Sequence, residues 1–132
     1  MSLKDNKQVV TRFFDAVMRA DIPTLSDLLA PNAEYWVAPS TLFSGTYTRQ
    51  AMLDLMPEYF GSMEGNMTFT VGEMTAEEDR VSVMAQGHAR MKSGKEYANT
   101  YHFLFRVQGG KLILVKEYFD SQHVNEIFGR QS

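Results

Sequence analysis

The sequence predicts an α+β domain, and three observations carry that prediction. As far as Phe60, apolar side chains recur at helical spacing. From Met67 onward they alternate with polar ones, as in half-buried strands. Ser93-Gly94 and Gly109-Gly110 then punctuate the second half as short hairpin turns. Helices followed by a strand meander imply helices packed on one face of an antiparallel sheet. At 132 residues the chain has room for one core, so residues 1–132 read as a single domain.

The elements follow in order. Asp5 and Gln8 mark a helix start, with Met1-Ser2-Leu3 given no part in the fold. Val9, Val10, Phe13, Phe14, Val17 and Met18 then form one apolar face up to about Ala20. Asp21 with Pro23 opens a short second helix carrying Leu25, Leu28 and Leu29, which Pro31-Asn32 stops. Glu34 to Val37 reads as a short strand closed by Pro39, and Ser40 to Tyr47 as a loop. Thr46 or Thr48 caps a third helix in which Pro57 predicts a kink. Met67, Phe69 and Val71 begin the first strand of the meander, and Glu77-Glu78-Asp79 is a solvated turn. Residues 80–91, 96–107 and 111–119 are three more strands, and Ser121 caps a final helical turn with Val124, Ile127 and Phe128.

Composition narrows the function classes. The net charge of −3 and the scattered lysines and arginines provide no footprint for nucleic acid. No apolar run spans a bilayer and no signal peptide opens the chain; with no cysteine, the expectation is a cytoplasmic protein. Nine Met, nine Phe, six Tyr and Trp36 either fill a Met-rich core or wall an irregular apolar cavity.

Strand parity decides which polar side chains share a face. A two-residue Ser93-Gly94 loop sets His88 against Asn99 and Gln86 against Tyr101. A three-residue Gln108-Gly109-Gly110 loop sets Tyr101 against Glu117, whereas a two-residue loop turns Asp120 and Tyr118 inward instead. In the first register Gln86, His88, Asn99, Tyr101 and Glu117 form a polar patch on an apolar face, as in a ligand pocket. Glu117 is the candidate acid/base, because desolvation raises a carboxyl's pKa. The structural alternative pairs it with Arg90 or Tyr101. The three histidines, His88, His102 and His123, converge nowhere, so no metal site is expected.

Several segments resemble one family. These are Thr11-Arg12-Phe13-Phe14-Asp15-Ala16-Val17, Ala33-Glu34-Tyr35-Trp36, Phe43-Ser44-Gly45-Thr46-Tyr47, Asn99-Thr100-Tyr101-His102-Phe103 and Glu117-Tyr118-Phe119-Asp120. Together they resemble the SnoaL-like polyketide cyclases and relatives of ketosteroid isomerase, within the nuclear-transport-factor-2-like superfamily. The resemblance implies a cone-shaped, cystatin-like fold whose curved antiparallel sheet holds the N-terminal helices on its concave face. It also implies a homodimer formed through the outer sheet face. The chain departs from true ketosteroid isomerases: Phe13 or Phe14 and Ala38 stand where they carry Tyr and Asp. Of the Asp-Arg-Asp set of limonene-type epoxide hydrolases, Glu117 or Asp120 can stand in for one acid but no Arg and Asp partners match, which makes epoxide hydrolysis the weaker alternative.

The expected function is acid/base chemistry of isomerase, cyclase or dehydratase type, without a cofactor, on a small apolar or carbonyl-containing molecule. Glu117, or Asp120 if the register differs, moves the proton, while Tyr101, Asn99 and His88 orient the substrate. Phe14, Trp36, Met56, Tyr59, Phe60, Gln86 and Phe103 complete the pocket. The alternative is a non-catalytic small-ligand-binding or interaction module of the same fold.

Overall fold

The computed structural model describes residues 2–129. Helix α1 (Leu3–Met18) opens with a capping box. Ser2 Oγ accepts from the Asp5 amide at 3.0 Å and the Asp5 carboxylate accepts from the Ser2 amide at 3.1 Å. The helix thus starts three residues before the expected site, with Ser2 rather than Asp5 as its cap, and Ser2-Leu3 does belong to the fold. Its buried stripe is Val9, Val10, Phe13, Phe14 and Ala16. Asp21 caps α2 (Ile22–Leu28) by accepting from the Thr24 amide at 3.1 Å, with Pro23 in the first turn. Strand β1 (Leu29–Val37) follows at once, so Pro31 lies within a strand rather than ending a helix. It sits where the pairing shifts register between Leu29 and Glu34, the kind of irregularity that tolerates a missing N–H.

The end of the expected Ser40–Tyr47 loop is instead part of a short strand, β2 (Gly45–Thr48), paired with β1. Thr48 then caps α3 (Arg49–Gly61), and the helical backbone continues through Pro57. The meander comprises β3 (Met63–Glu77), β4 (Arg80–Met91), β5 (Glu96–Gln108) and β6 (Lys111–Phe119). Helix α4 (Ser121–Phe128) ends the described chain, and its cap is Asp120, not Ser121. No helix among the described residues is long and apolar enough to cross a membrane.

The six strands form one open sheet in the order β2-β1-β6-β5-β4-β3. It is mixed: β1 runs parallel to β6, and every other neighbour is antiparallel. Two register shifts in the β3–β4 pair, and one each in β1–β6 and β5–β6, bend it. The concave face takes α1, whose Phe13 and Phe14 meet Phe103 and Phe105 edge-on at 5.1–6.5 Å between ring centres.

Two single-residue insertions decide the faces. The β4–β5 loop has three residues, Lys92-Ser93-Gly94, closed by the Met91 amide donating to the Lys95 carbonyl at 2.9 Å. Gly87 therefore opposes Asn99 and Ala85 opposes Tyr101, which turns Gln86 and His88 to the outer face. The β5–β6 loop is the two-residue Gly109-Gly110, with Gln108 opposite Lys111. Alone that loop would turn Glu117 outward. Ile113, however, is an extra residue between the Val107–Leu112 and Arg106–Leu114 pairs, and it reverses the parity again. Glu117 then opposes Phe103 on the inner face.

Gly87 matters because of what lies over it. A Cβ there would stand 2.8 Å from Cε1 of Tyr101 and 3.1 Å from Cε1 of Phe69. The two rings pack on each other and on Phe103, so admitting a Cβ requires this aromatic cluster to shift together. Gly87→Ala is therefore expected to destabilise by about 1–3 kcal/mol, read as a lower midpoint in urea. An unchanged midpoint would show that the two rings yield freely.

Candidate functional site

A cavity of about 90 Å³ lies between the concave sheet face and helices α1, α3 and α4. This is several times the roughly 10–15 Å³ that one water requires. Phe13 and Val17 of α1 form one wall, and Met52, Met56, Tyr59 and Phe60 of α3 another. The floor is sheet: Tyr35 and Val37 of β1, Met67 and Phe69 of β3, Tyr97, Tyr101 and Phe103 of β5, Glu117 and Phe119 of β6. Phe128 of α4 closes one end, its ring against Phe43 at 5.1 Å and Tyr59 at 5.8 Å. Glu117 is the one charged group on these described walls.

Glu117 is held by β1. In the parallel pair Val37 stands beside Glu117 and Tyr35 beside Val115, so Tyr35 shares the inner face. Its hydroxyl donates to Glu117 Oε1. Burial pushes the Glu117 carboxyl up from 4.5 to about 7, and the hydrogen bond from Tyr35 only partly offsets this. The carboxyl is thus divided between its acid and base forms near neutrality, the condition that suits proton transfer. The phenols behave differently. Burial raises Tyr35, Tyr59 and Tyr101 well above the usual tyrosine range, and the nearby Glu117 charge raises each further. They are donors at any ordinary pH.

The structure brings together only part of the expected patch. Glu117, Tyr101, Phe103, Met56, Tyr59 and Phe60 line the cavity. His88 and Gln86 do not: both are exposed on the outer face, where His88 Nε2 meets Glu96 at 3.0 Å. The extra loop residue at Lys92-Ser93-Gly94 is the cause. Arg90, the suggested structural partner of Glu117, is outside too, bound to Glu96 at 2.9 Å. Trp36 alternates outward from Tyr35 and packs on Tyr118 at 5.0 Å, with Lys116 Nζ over its ring. Phe14 is buried beneath the cavity against Phe69 and Phe103 rather than at its surface.

Asn99 and Asp120 have a different place. Asn99 is buried on the inner face, but its amide exchanges two hydrogen bonds with the Asp120 backbone, at 3.0 and 2.9 Å. The Asp120 carboxylate accepts from the amides of Gln122 and His123, capping α4. Both residues therefore anchor the helix that closes the cavity. His123 assists, accepting from the Ala98 amide at 3.1 Å and stacking on Tyr97. No metal-binding cluster exists among the described residues.

Sequence reasoning missed Tyr35 and Tyr97. The signal for Tyr35 was present, since strand alternation allows only one of Tyr35 and Trp36 inside. Tyr97 follows from Tyr101 by the same two-residue period, and its hydroxyl pairs with that of Tyr101.

Comparison with known proteins agrees with this architecture. An NTF2-like protein from Burkholderia xenovorans shares 24% identity and a TM-score of 0.77, covering 96% of this chain and 97% of its own. Bal32a, from a soil-derived mobile gene cassette, shares 23% identity and a TM-score of 0.83, covering 94% and 96%. An LEH-like epoxide hydrolase from M. tuberculosis shares 14% identity and a TM-score of 0.77, covering 94% and 89%. At these identities the likeness is one of fold. No curated protein matches the chain. The profile of the SnoaL-like domain matches residues 10–115, most of the sequence, and the chain therefore belongs to the SnoaL-like domain family.

Proposed function

We propose that the protein moves a proton to or from a small, largely apolar molecule enclosed in this cavity, with Glu117 as the acid/base. The observation that supports this most is the lone carboxyl, poised near neutrality among aromatic and Met side chains. Tyr35 holds the carboxyl in place and stabilises its charged form. The largely apolar walls offer the carboxylate few groups to replace its hydration, which raises its proton affinity as a base. The reading requires no cofactor.

A substrate-independent probe tests the base. In 5-nitrobenzisoxazole a carboxylate removes the C3 proton, the C–H electron pair forms the nitrile, the N–O bond breaks and a phenolate leaves. The expected rate rises with pH through about 7 as Glu117 loses its proton. Glu117→Gln is expected to lower that rate by roughly 100-fold or more. A rate equal to that of Glu117→Gln from pH 5 to 9 would leave a binding module of the same fold.

Stability supplies a second check. The native carboxyl keeps its proton to about pH 7, whereas the unfolded chain releases it near 4.5. Between those values the unfolded state binds fewer protons, so stability falls as pH rises. The loss is expected to be about 3 kcal/mol by pH 8. Glu117→Gln should lack it, so urea unfolding at pH 4.5 and 8 should show the variant gaining on the wild type at the higher pH. Parallel pH dependences would mean Glu117 is solvated.

We also place a homodimer contact on the outer sheet face, where Met84 and Tyr118 are exposed. Light scattering is expected to give twice the chain mass; a monomer would overturn it.

A further inference from the structure

Strand β6 ends at Phe119, opposite Tyr101, so the part of β5 before Tyr101 has no strand beside it on that flank. The α4 segment takes the place of the missing ladder. The Asp120 amide and carbonyl bind the Asn99 side chain, and the Ala98 amide donates to Nε2 of His123 at 3.1 Å. A backbone N–H can only donate, so Nε2 is the bare nitrogen and the neutral ring carries its proton on Nδ1. The ring stacks on Tyr97 at 5.4 Å and 11°. Its side chain is 23% exposed, so solvent protons reach it.

Charging this ring ends its role as an acceptor. Both nitrogens of the cation donate, so turning the ring over restores nothing, and Nε2–H is set against the Ala98 N–H. Four groups face the ring among the described residues. Glu126 lies 3.6 Å from Nδ1, and the Asp120 carboxylate accepts from the His123 amide. Both belong to α4 and its cap, so they favour the cation equally whether the helix is docked or released. Tyr97 of β5 favours the docked cation through its ring face. Lys95, in the turn before β5, bonds the Glu126 carbonyl at 3.1 Å and opposes a second positive charge there, as the Ala98 N–H does.

The far end of α4 is held weakly. Asn125 donates to the Ser40 carbonyl, yet its own Oδ1 is buried with no partner among the described residues, a cost that hydration on release removes. Val124 and Phe128, which line the cavity, belong to this same helix.

We propose that His123 is a pH-sensitive latch. Neutral, it holds α4 against β5 over the cavity; charged, it lets the helix swing away about Asp120 and opens the cavity. The Asn99 amide, which does not titrate, keeps the pivot in place. The latch is complete at pH 8 and is lost as pH falls through the histidine range toward 5. Glu117 acts in the opposite sense, because its neutral form, gained as pH falls, favours the closed cavity. Acid release of α4 therefore does not come from Glu117. The latch stands on the geometry of α4, and its bearing on a ligand rests on the reading of the cavity as the ligand site.

NMR of the whole chain, with no ligand added, tests this. The His123 ring nitrogens report its charge. Hydrogen exchange of the Val124 and Gly129 amides, bonded to the Asp120 and Asn125 carbonyls, reports docking, since a released helix of eight residues does not hold itself together. Their protection, relative to an unfolded chain at the same pH, is expected to fall about tenfold between pH 8 and 5.5 as the ring charges. His123→Gln keeps an acceptor that never charges, so its protection should not depend on pH. Glu117→Gln should keep the acid loss. A ring that charges without a change in protection, a ring still neutral at pH 5.5, or an acid loss in His123→Gln equal to that of the wild type would overturn the proposal. None of these results bears on proton transfer by Glu117, and a failed 5-nitrobenzisoxazole test leaves the latch standing.

Discussion

The hydrogen bond from Tyr35 to Glu117 joins the two strands that run parallel, β1 and β6, from inside the cavity. A carboxyl in an apolar wall is unstable as a charge unless something compensates for lost hydration. Here one phenol supplies part of that compensation, and burial wins the remainder by raising the proton affinity. The outcome is a group that neither ionises completely nor stays neutral at pH 7. The rest of the site depends on this balance. A stronger partner such as an arginine would fix the charge, and an open pocket would return the group to ordinary carboxylate behaviour.

Enclosure has its own requirement, a lid that stays in place. Helix α4 is short, and helices of its length are marginal in isolation. Its position comes from side-chain-to-backbone hydrogen bonds made in both directions between the helix and the rest of the fold. Asn99 grips Asp120, His123 reaches Ala98, and Asn125 donates to the Ser40 carbonyl at 2.9 Å. Asp120 caps the same helix. Polar residues that looked like substrate contacts therefore hold Val124 and Phe128 over the cavity instead. Their effect on function runs through desolvation of Glu117.

Helices and strands could be read from the sequence because their periods are local. The stripe of Val9, Val10, Phe13 and Phe14 and the alternation around Tyr101 and Phe103 each repeat over several turns or residue pairs. Face assignment was harder, because one residue in a loop reverses a whole strand. Lys92 enters the β4–β5 loop, and its presence there moved Gln86 and His88 outside. Ile113 forms a bulge that no local pattern signals, yet it returns Glu117 to the inner face. The expected orientation of Glu117 thus agrees with the structure although the expected loop does not, a compensation of two shifts. Strand β2 and the parallel pairing of β1 with β6 were invisible for a related reason. Both are defined by long-range pairing with β1, and pairing partners leave little trace in a single sequence.

The same geometry explains why family membership leaves the chemistry open. In this chain the curved sheet packs on an aromatic core beneath α1, and the fold itself recurs in structures of 14–24% identity. The proposed acid/base, Glu117, lies two residues past the matched family segment of 10–115. Its behaviour is governed by burial and by which side chain β1 offers at position 35. Exchanging Tyr35 for Phe keeps a ring against Phe13 while changing the proton affinity of the carboxyl. A scaffold whose stability lies in one layer and whose chemistry lies in a few side chains above it can host unrelated reactions. The function of this chain therefore has to be argued from Glu117 and Tyr35, and not from the sheet that carries them.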